Sequence, residues 1–347
     1  MIQGPMKTEA QYRAVIMDSS SSLKEFSQNR KKYHKKYILN ERVEDEDSKA
    51  SIMGRLVETL LLEDHLFDSK FHMSVVTAAP TAMMLDFVEA LYKHTTAATN
   101  EDGVITRTFE DICKDAHADS GFKIKLDAVL NKFIGSDAEV YYKEIREVRS
   151  KGLTVVTTQD VDNANKIVTE LKSNHITSEI VNLVNSVQYS VHNQLQMEGY
   201  DVFGHQFKSM MDMVHVDHKS KTVQVYDLKC TWSVENFYEE YYLYRRAYIQ
   251  GFLYHKAAES WASEMGYGDY TILHPRFIVC DSTNYSSPLV YAMSDTNMQE
   301  ALNGFEHKGR NYPGVASLIE DLDWAINNDV WNISRENYIN NGVVKLG

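Results

Sequence analysis

Cysteine is scarce in this sequence, which has three cysteines among 347 residues. Cys113, Cys230 and Cys280 lie far apart, without the close spacing of a thiolate metal site. An odd and dispersed set also argues against a disulfide framework. Unpaired cysteines are typical of a reducing compartment, so we expect a cytoplasmic protein.

Long apolar runs are absent as well. The best candidate, VVTAAPTAMML at residues 75–85, is short and is interrupted by Pro80. A membrane-spanning helix needs about 20 predominantly apolar residues, and the N-terminus lacks the apolar core of a secretory signal. We therefore expect no membrane partner. A composition that is 43% hydrophobic and 24% charged predicts an ordinary globular core.

Basic residues are outnumbered, since 36 lysines and arginines face 49 acidic residues, for a net charge of −13. This balance argues against a nucleic-acid partner. An acidic exterior can nevertheless coexist with a local basic groove. The run NRKKYHKKY at residues 29–37 interleaves basic and aromatic side chains. A solvated helix face explains that run equally well.

Helical patterns and strand patterns alternate along the chain. Apolar periodicity predicts helices at 53–67, at 157–174, at 235–266 and, as a C-terminal pair, at 295–308 and 315–328, with mostly helical residues over 82–150. Strand patterns cover 203–217, 222–232, 271–282 and 288–294. This order predicts one α/β domain over residues 1–347, with a helical insertion at residues 80–175.

The second predicted strand, TVQVYDLK at residues 222–229, places Val223, Val225, Asp227 and Lys229 on one face. The valines should turn that face inward. Asp227 and Lys229 would then lie against apolar cover, where a charge is costly without a partner. An ion pair at the end of a strand is the ordinary explanation.

A short polar link, HKSK at residues 218–221, predicts a hairpin between the two strands. In that register Asp217 faces Thr222, and Asp212 becomes the cross-strand neighbour of Asp227. Two opposed carboxylates are destabilising unless a cation lies between them. The pair therefore predicts a site for a hard metal such as Mg²⁺. The spacing of His205, His215 and His218 suits no zinc site, and we interpret them as surface or strand residues.

Three further polar residues lie on predicted helices. Glu58 interrupts the apolar pattern of GRLVETLLLE, either at an exposed face or as a metal ligand. Gln250 and Tyr254 are four residues apart and so share one helix face. They are either core-edge residues or part of the site.

These residues form an ordered set of motifs. Gly54 and Glu58 in a leucine-rich helix are followed by Asp212, by the D-x-K of Asp227 and Lys229, and by the Q-x-x-x-Y of Gln250 and Tyr254. The set resembles the PD-(D/E)XK nuclease superfamily, especially its RecE (exonuclease VIII) and RecB-like phage exonuclease branch. The Ser-rich helix at 19–37, the segment KGLTVVTTQDVDNANKIVTEL and the C-terminal tail are similar too, so the resemblance covers most of the chain.

The resemblance has two departures. RecE-like sequences usually carry histidine where Glu58 stands, although glutamate occurs there in the wider superfamily. The proline of the superfamily name has no equivalent beside Asp212. The resemblance implies a restriction-endonuclease-like α/β core, with a mixed central sheet flanked by helices.

The resemblance also implies metal-dependent hydrolysis of phosphodiester bonds. Asp212, Asp227 and the Leu228 carbonyl would hold one or two Mg²⁺ or Mn²⁺ ions, with Glu58 completing the site directly or through water. Lys229 would orient or deprotonate the attacking water. Gln250 and Tyr254 would position Lys229 or the DNA backbone.

The implied function is that of a Mg²⁺-dependent deoxyribonuclease, a 5′→3′ exonuclease on linear double-stranded DNA in phage-type recombination. Its implied partners are DNA ends and a single-strand annealing protein, in the cytoplasm of a bacterial host. Such proteins commonly form homo-oligomeric rings around DNA, with a basic inner channel. Candidate DNA contacts are Lys31, Lys32, Lys35, Lys36, Arg245 and Arg246.

Other functions remain open from the sequence. An endonuclease or a Cas4-like nuclease would share the chemistry, although three scattered cysteines argue against the iron–sulfur cluster of the Cas4-like type. A DNA-binding or protein-binding module without catalysis is a third alternative, and the presence of Asp212, Asp227 and Lys229 argues against it. An accidental motif match in an unrelated α/β protein is the fourth.

Overall fold

The chain divides into two compact units in a computed structural model, which describes residues 7–41 and 48–344. The sheet unit is formed by Met1–Ala50 with Glu170–Gly347, and the helical unit by Ser51–Thr169. Each unit has its own cluster of buried apolar side chains. The first six residues, part of the N-terminus in which we expected no secretory signal, lie outside the described residues.

Helices and strands alternate along the described residues. The helices are α1 (Glu9–Arg13), α2 (Ser20–Gln28), α3 (Arg30–Tyr33), α4 (Lys49–Leu62), α5 (Phe67–Lys70), α6 (Ala82–Ala97), α7 (Phe109–Asp119), α8 (Leu126–Phe133), α9 (Asp137–Arg149), α10 (Thr158–Ser173), α11 (Ser178–Val181), α12 (Ala247–Glu264), α13 (Asp295–Asn303), α14 (Val315–Asn328) and α15 (Arg335–Ile339). The strands are β1 (Phe71–Met73), β2 (Thr154–Val156), β3 (Tyr189–Val202), β4 (His205–Asp217), β5 (Thr222–Thr231), β6 (Thr271–Ile272), β7 (Arg276–Asp281), β8 (Leu289–Ala292), β9 (Gly304–His307) and β10 (Arg310–Pro313).

A mixed sheet forms the centre of the sheet unit. Its strand order is β3-β4-β5-β7-β8, and the short β6 pairs beside β5. β5 runs parallel to β6 and β7, whereas the other neighbouring strands are antiparallel. The connection from β5 to β7 contains α12, as a parallel crossover requires. The predicted α/β fold with a mixed central sheet is confirmed.

The hairpin of β4 and β5 has the predicted register. Asp217 pairs with Thr222, and the ladder continues to the pair of Met213 and Tyr226. Val223 and Val225 are fully buried in the apolar cluster of the sheet unit, as alternation along the strand requires. The polar turn and the apolar period together determined this register, because a slip of one residue would expose the valines.

The predicted helix over 235–266 is wrong as a continuous element. A π-helical segment, Tyr238–Tyr244, comes first, and Arg246 then adopts the left-handed conformation with φ of 56°. Only after this break does α12 begin, and its buried residues lie on every side. Such a helix carries no amphipathic period that could mark its start.

Two other elements of the sheet unit differ from expectation. The helix predicted over 295–308 ends at Asn303 and is followed by the β9–β10 hairpin. Gly304 ends it with φ of 84°, where a β-carbon would lie 2.8 Å from the Gly314 nitrogen. The long strand β3 was not among the predicted strands, and the pattern over 176–195 had favoured a helix or a helix-to-strand segment.

The helical unit packs α6, α7, α8 and α9 around buried aromatic residues. Phe87 and Phe133 meet edge to face, with ring centroids 5.5 Å apart. A short parallel pair, β1 with β2, belongs to the same unit. The residues predicted as an insertion, 80–175, lie mostly in this unit. Within the described ranges, no helix is both long enough and apolar enough to cross a membrane.

Candidate active site

Asp212 on β4 and Asp227 on β5 are both buried, with 8% and 1% of their surface exposed. The ladder of the two strands ends at Met213 and Tyr226, one position before these aspartates. The Asp212 Oδ2 atom instead accepts a hydrogen bond of 2.8 Å from the Leu228 backbone amide. Asp212 therefore connects the two strands at the point where their backbones stop pairing.

Asp227 is compensated by one cation and one neutral donor. Its Oδ2 atom forms an ion pair with the Lys229 ammonium group, two residues along the same strand face. Its Oδ1 atom accepts a hydrogen bond of 2.8 Å from Gln250 Nε2 on α12. The Lys229 side chain is 20% exposed, so the cation reaches solvent while its carboxylate does not. A buried carboxylate requires such partners to stay ionised.

Gln250 and Tyr254 continue this network along α12. Gln250 Nε2 also donates to the Tyr254 hydroxyl at 3.0 Å, so both amide hydrogens have acceptors. The Tyr254 hydroxyl in turn donates to the Met210 carbonyl at 2.7 Å. Burial, followed by the charges of Asp212 and Asp227, raises the pKa of Tyr254 well above its usual value. Tyr254 is therefore a permanently neutral donor.

Lys24 on α2 is a member of this network that sequence reasoning missed. Its Nζ donates to Gln250 Oε1 at 3.3 Å. Burial, followed by the charge of Lys229, lowers the pKa of Lys24 to about 8. The serine-rich start of this helix was noted, but no periodic pattern brings together residues 226 positions apart.

A cavity of about 950 Å³ opens beside Asp212 and Tyr254. The chain from Tyr12 to Ser21 forms much of its wall. Lys208 on β4 holds this segment by donating to the backbone carbonyls of Tyr12, Arg13 and Val15 at 2.7–3.1 Å. Of the two buried aspartates, Asp212 lines this cavity.

The histidines of the hairpin have partners other than a metal. His205 lies between Asp18 and Asp323, at 2.9 and 2.7 Å. His218 contacts the hydroxyls of Ser190 and Tyr270. Burial lowers the pKa of His215 to about 4. Over residues 7–41 and 48–344, no group of three or more His, Cys, Asp or Glu side chains is placed to hold a metal ion.

Asp212 and Asp227 nevertheless fit a divalent cation chemically. They offer hard carboxylate oxygens, which Mg²⁺ prefers together with water and phosphate oxygens. Both are buried, Asp212 lines the cavity, and a second positive charge there would offset two like charges. Glu58 is half-buried on α4 of the helical unit. Its role as a ligand, like that of the Leu228 carbonyl, stays a prediction.

The candidate DNA contacts fall into two groups in the sheet unit. Lys31 and Lys35 are exposed, Lys32 pairs with Glu25 at 3.1 Å, and Lys36 lies over the Tyr37 ring. Arg245 and Arg246 precede α12, so their predicted place on one long helix is wrong. Arg245 is exposed and lies 4.5 Å from the centre of the Tyr241 ring.

A protein-family model matches most of the chain. The model of the family described as "PDDEXK-like domain of unknown function (DUF3799)" matches residues 19–321. Among curated proteins, none matches the chain. A solved structure from Eubacterium rectale, provisionally named an exonuclease, is similar at 15% identity and a TM-score of 0.47, covering 99% of this chain and 96% of that one.

Proposed function

The chain belongs to the family of PDDEXK-like domains, and from this premise we propose that it is a metal-dependent DNA nuclease, acting as a 5′→3′ exonuclease on linear duplex DNA. The observation that carries the proposal is the shared network of Asp227, Lys229 and Gln250 next to Asp212. It joins two buried carboxylates to one partly exposed cation at a single point of the sheet.

Each residue of the network has a chemical role in phosphodiester hydrolysis. Lys229 reaches solvent, so it can hold the attacking water and offset the charge of the phosphate. Gln250 fixes the Asp227 carboxylate, and Tyr254 fixes Gln250. Because these groups are locked by burial and hydrogen bonds, they need little reorganisation when the substrate binds.

Asp212, Asp227 and the Leu228 carbonyl would hold one or two Mg²⁺ or Mn²⁺ ions. When bound, such ions stabilise the charge on the attacking and leaving oxygens. The two aspartates fit this role because their carboxylates offer hard oxygens at the end of one strand ladder, with Asp227 also paired to Lys229.

The proposal extends to substrate and partners. Duplex DNA ends are the proposed substrate, and a ring of identical chains the proposed assembly. A single-strand annealing protein is the proposed partner in phage-type recombination. The net charge of −13 disfavours DNA contact over the whole exterior, so the proposal places DNA on local basic surfaces.

Digestion of end-labelled linear duplex DNA beside a closed circular duplex tests the proposal. We expect Mg²⁺ or Mn²⁺ to cause loss of the linear DNA, with the 5′ label released first and the circle intact. EDTA should stop the reaction. Lys229→Ala should abolish it, while Lys219→Ala, an exposed lysine in the β4–β5 turn, should leave it unchanged.

The other outcomes assign different functions. Cutting of the circle would make the protein an endonuclease, and release of the 3′ label first would reverse the polarity. No cleavage of either DNA with Mg²⁺ or Mn²⁺, by protein with an unchanged melting temperature, would favour a binding module. Asp227 and Lys229 would then be a structural ion pair.

A further inference from the structure

A second cavity in the sheet unit, of about 640 Å³, is strongly basic. Four cationic side chains line it: Lys24, Arg245, Arg246 and Arg310. Glu25 is its one acidic lining residue among the described ranges, and that carboxylate already pairs with Lys32. We call this cavity the basic pocket.

Arg246 is held in the basic pocket at a cost. Its backbone has φ of 56°, a left-handed conformation that a residue with a side chain adopts reluctantly. Its Nη1 atom is buried and has no hydrogen-bond partner among the described residues. Burial lowers the pKa of Arg246. A buried guanidinium donor without a protein partner is suited to an anionic acceptor.

The other cations of the pocket are also without an acidic partner. None of Lys24, Arg245 and Arg310 forms an ion pair with a carboxylate across residues 7–41 and 48–344. Arg245 and Arg310 lie over aromatic rings, of Tyr241 and Tyr312, which fixes their planes and leaves their N–H groups available. The long helix α12 begins directly after Arg246, and its dipole adds a partial positive charge at this end.

We propose that the basic pocket binds a phosphate group of the nucleic-acid substrate, held while hydrolysis proceeds at Asp227. This inference rests on the proposed nuclease function. Two guanidinium groups offer paired N–H donors that match phosphate oxygens. A hydroxyl from Ser21 and the amide of Gln28 also line the pocket.

The connection to the active site is a chain of hydrogen bonds. Lys24 lies in the pocket and donates to Gln250, which donates to the Asp227 carboxylate. Lys24, which lines the pocket, is therefore linked to the Asp227 carboxylate through the single side chain of Gln250. A phosphate bound in the pocket is either a terminal phosphomonoester or an internal phosphodiester of the DNA, and the test distinguishes them.

Inorganic phosphate provides the first test, because it requires no cleavage. We expect phosphate to raise the melting temperature of the wild-type chain above that in chloride of equal ionic strength. Arg246→Gln should melt no lower than wild type without phosphate, since it removes a buried unpaired donor. It should lose the phosphate effect. Lys172→Gln, an exposed lysine of the same unit, should keep it.

Duplex binding in EDTA, where nothing is cut, provides the second test. Arg245→Gln/Arg310→Gln should bind about tenfold more weakly than wild type. The slope of log affinity against log salt should fall by about 2. The matched double variant Lys172→Gln/Lys219→Gln should change neither. A difference confined to duplexes with a terminal phosphate identifies the phosphomonoester, and a difference also on a closed circle identifies the internal phosphodiester.

Equal stabilisation of wild type and Arg246→Gln by phosphate would overturn the proposal. Equal DNA binding by the pocket and control double variants would overturn it as well. These failures differ from failure of the nuclease function. DNA cleavage without a phosphate effect removes the pocket alone, whereas a phosphate effect without cleavage removes the nuclease alone.

Discussion

The two units of the chain differ in whether they bury charged side chains. The buried charged side chains of the described residues are Lys208, Asp212, Asp227 and Asp281, and all four belong to the sheet unit. In the helical unit the buried polar groups are hydroxyls, such as that of Thr95 against Tyr142. Burying a charge costs free energy unless it is paired. The sheet unit therefore carries a cost that the helical unit avoids.

Several ion pairs of the helical unit lie at its surface. Pairs such as Lys114 with Glu110 and Lys151 with Glu147 join consecutive helix turns and are largely exposed. Each contributes only a few tenths of a kcal/mol. The helical unit is stabilised mainly by its apolar core, as is usual for a globular unit.

Two of the buried charged residues in the sheet unit hold nearby backbone segments through hydrogen bonds. Lys208 donates to three backbone carbonyls of the N-terminal segment. The Asp281 carboxylate accepts hydrogen bonds from the backbone and hydroxyl of Thr283 and from the amides of Tyr285 and Ser286. Asp212 and Asp227 differ, since they lie at the end of one strand ladder and Asp212 lines a cavity. Within the sheet unit, the contacts of these four residues thus separate buried charge that supports the fold from buried charge suited to chemistry.

The largest expected effect separates activity from stability in the sheet unit. Asp212→Asn keeps an oxygen that accepts the Leu228 amide, yet removes the charge. We expect nuclease activity to fall at least about 1,000-fold, or roughly 4 kcal/mol in the barrier. The free energy of unfolding should change by less than about 1 kcal/mol. Initial rates on linear DNA and urea unfolding measure the two.

Asp201→Asn is the matched control, because that aspartate is exposed on β3 of the same sheet. It should retain wild-type activity. Full activity of Asp212→Asn would remove Asp212 from the catalytic site.

A core truncation in the helical unit should have the opposite effect, a loss of stability. Phe87 is fully buried and packs edge to face against Phe122 and Phe133. Phe87→Ala should lower the free energy of unfolding by about 3–5 kcal/mol, through lost burial and the cavity that remains. Phe109, which is 50% exposed on α7, supplies the control, and Phe109→Ala should have little effect. A loss below about 1 kcal/mol for Phe87→Ala would contradict a packed core.

Removal of one hydroxyl tests the network on α12. Tyr254→Phe leaves the Met210 carbonyl and one Gln250 hydrogen without their partner. A buried polar group left without a hydrogen bond costs about 1–3 kcal/mol, so urea unfolding should report a loss of that size. Tyr285 is 92% exposed, and Tyr285→Phe should be neutral within about 0.5 kcal/mol. Equal stability of both variants would show that the network is not formed in solution.

The smallest expected effect is a pH dependence at His205. Hydrogen bonds to Asp18 and Asp323 raise the pKa of His205 above its usual value. A raised pKa in the folded state means that the stabilisation is complete below the unfolded value, about 6.5, and is lost as pH rises through the folded value. The difference in unfolding free energy between wild type and His205→Gln should therefore shrink between pH 6 and pH 9.

His65 in the helical unit gives the contrasting case, since its side chain is 73% exposed. His65→Gln removes an exposed imidazole and should change the free energy of unfolding little at pH 7. A constant difference between His205→Gln and wild type from pH 6 to pH 9 would show that the two carboxylates do not hold an imidazolium ion.

The sequence could predict what depends on short-range pattern. Alternation along β5 and the polar turn at 218–221 determine the hairpin register, which places Asp212 and Asp227 at the end of the same ladder. The four-residue spacing of Gln250 and Tyr254 determines that they share a helix face, and they are hydrogen-bonded. Period and turn chemistry are local properties, so they are readable without a fold.

The tertiary structure alone decided what depends on long-range packing. Lys24 reaches Gln250 across 226 positions, and the basic pocket joins α2, the chain before α12 and the β9–β10 hairpin. The break at Arg246 was hidden because the residues that follow are apolar on every side. The sequence by itself determined the motif residues and their strand and helix faces. Only the packed fold decided which cations meet the carboxylates, because the free energy of a buried charge depends on neighbours that are distant in sequence.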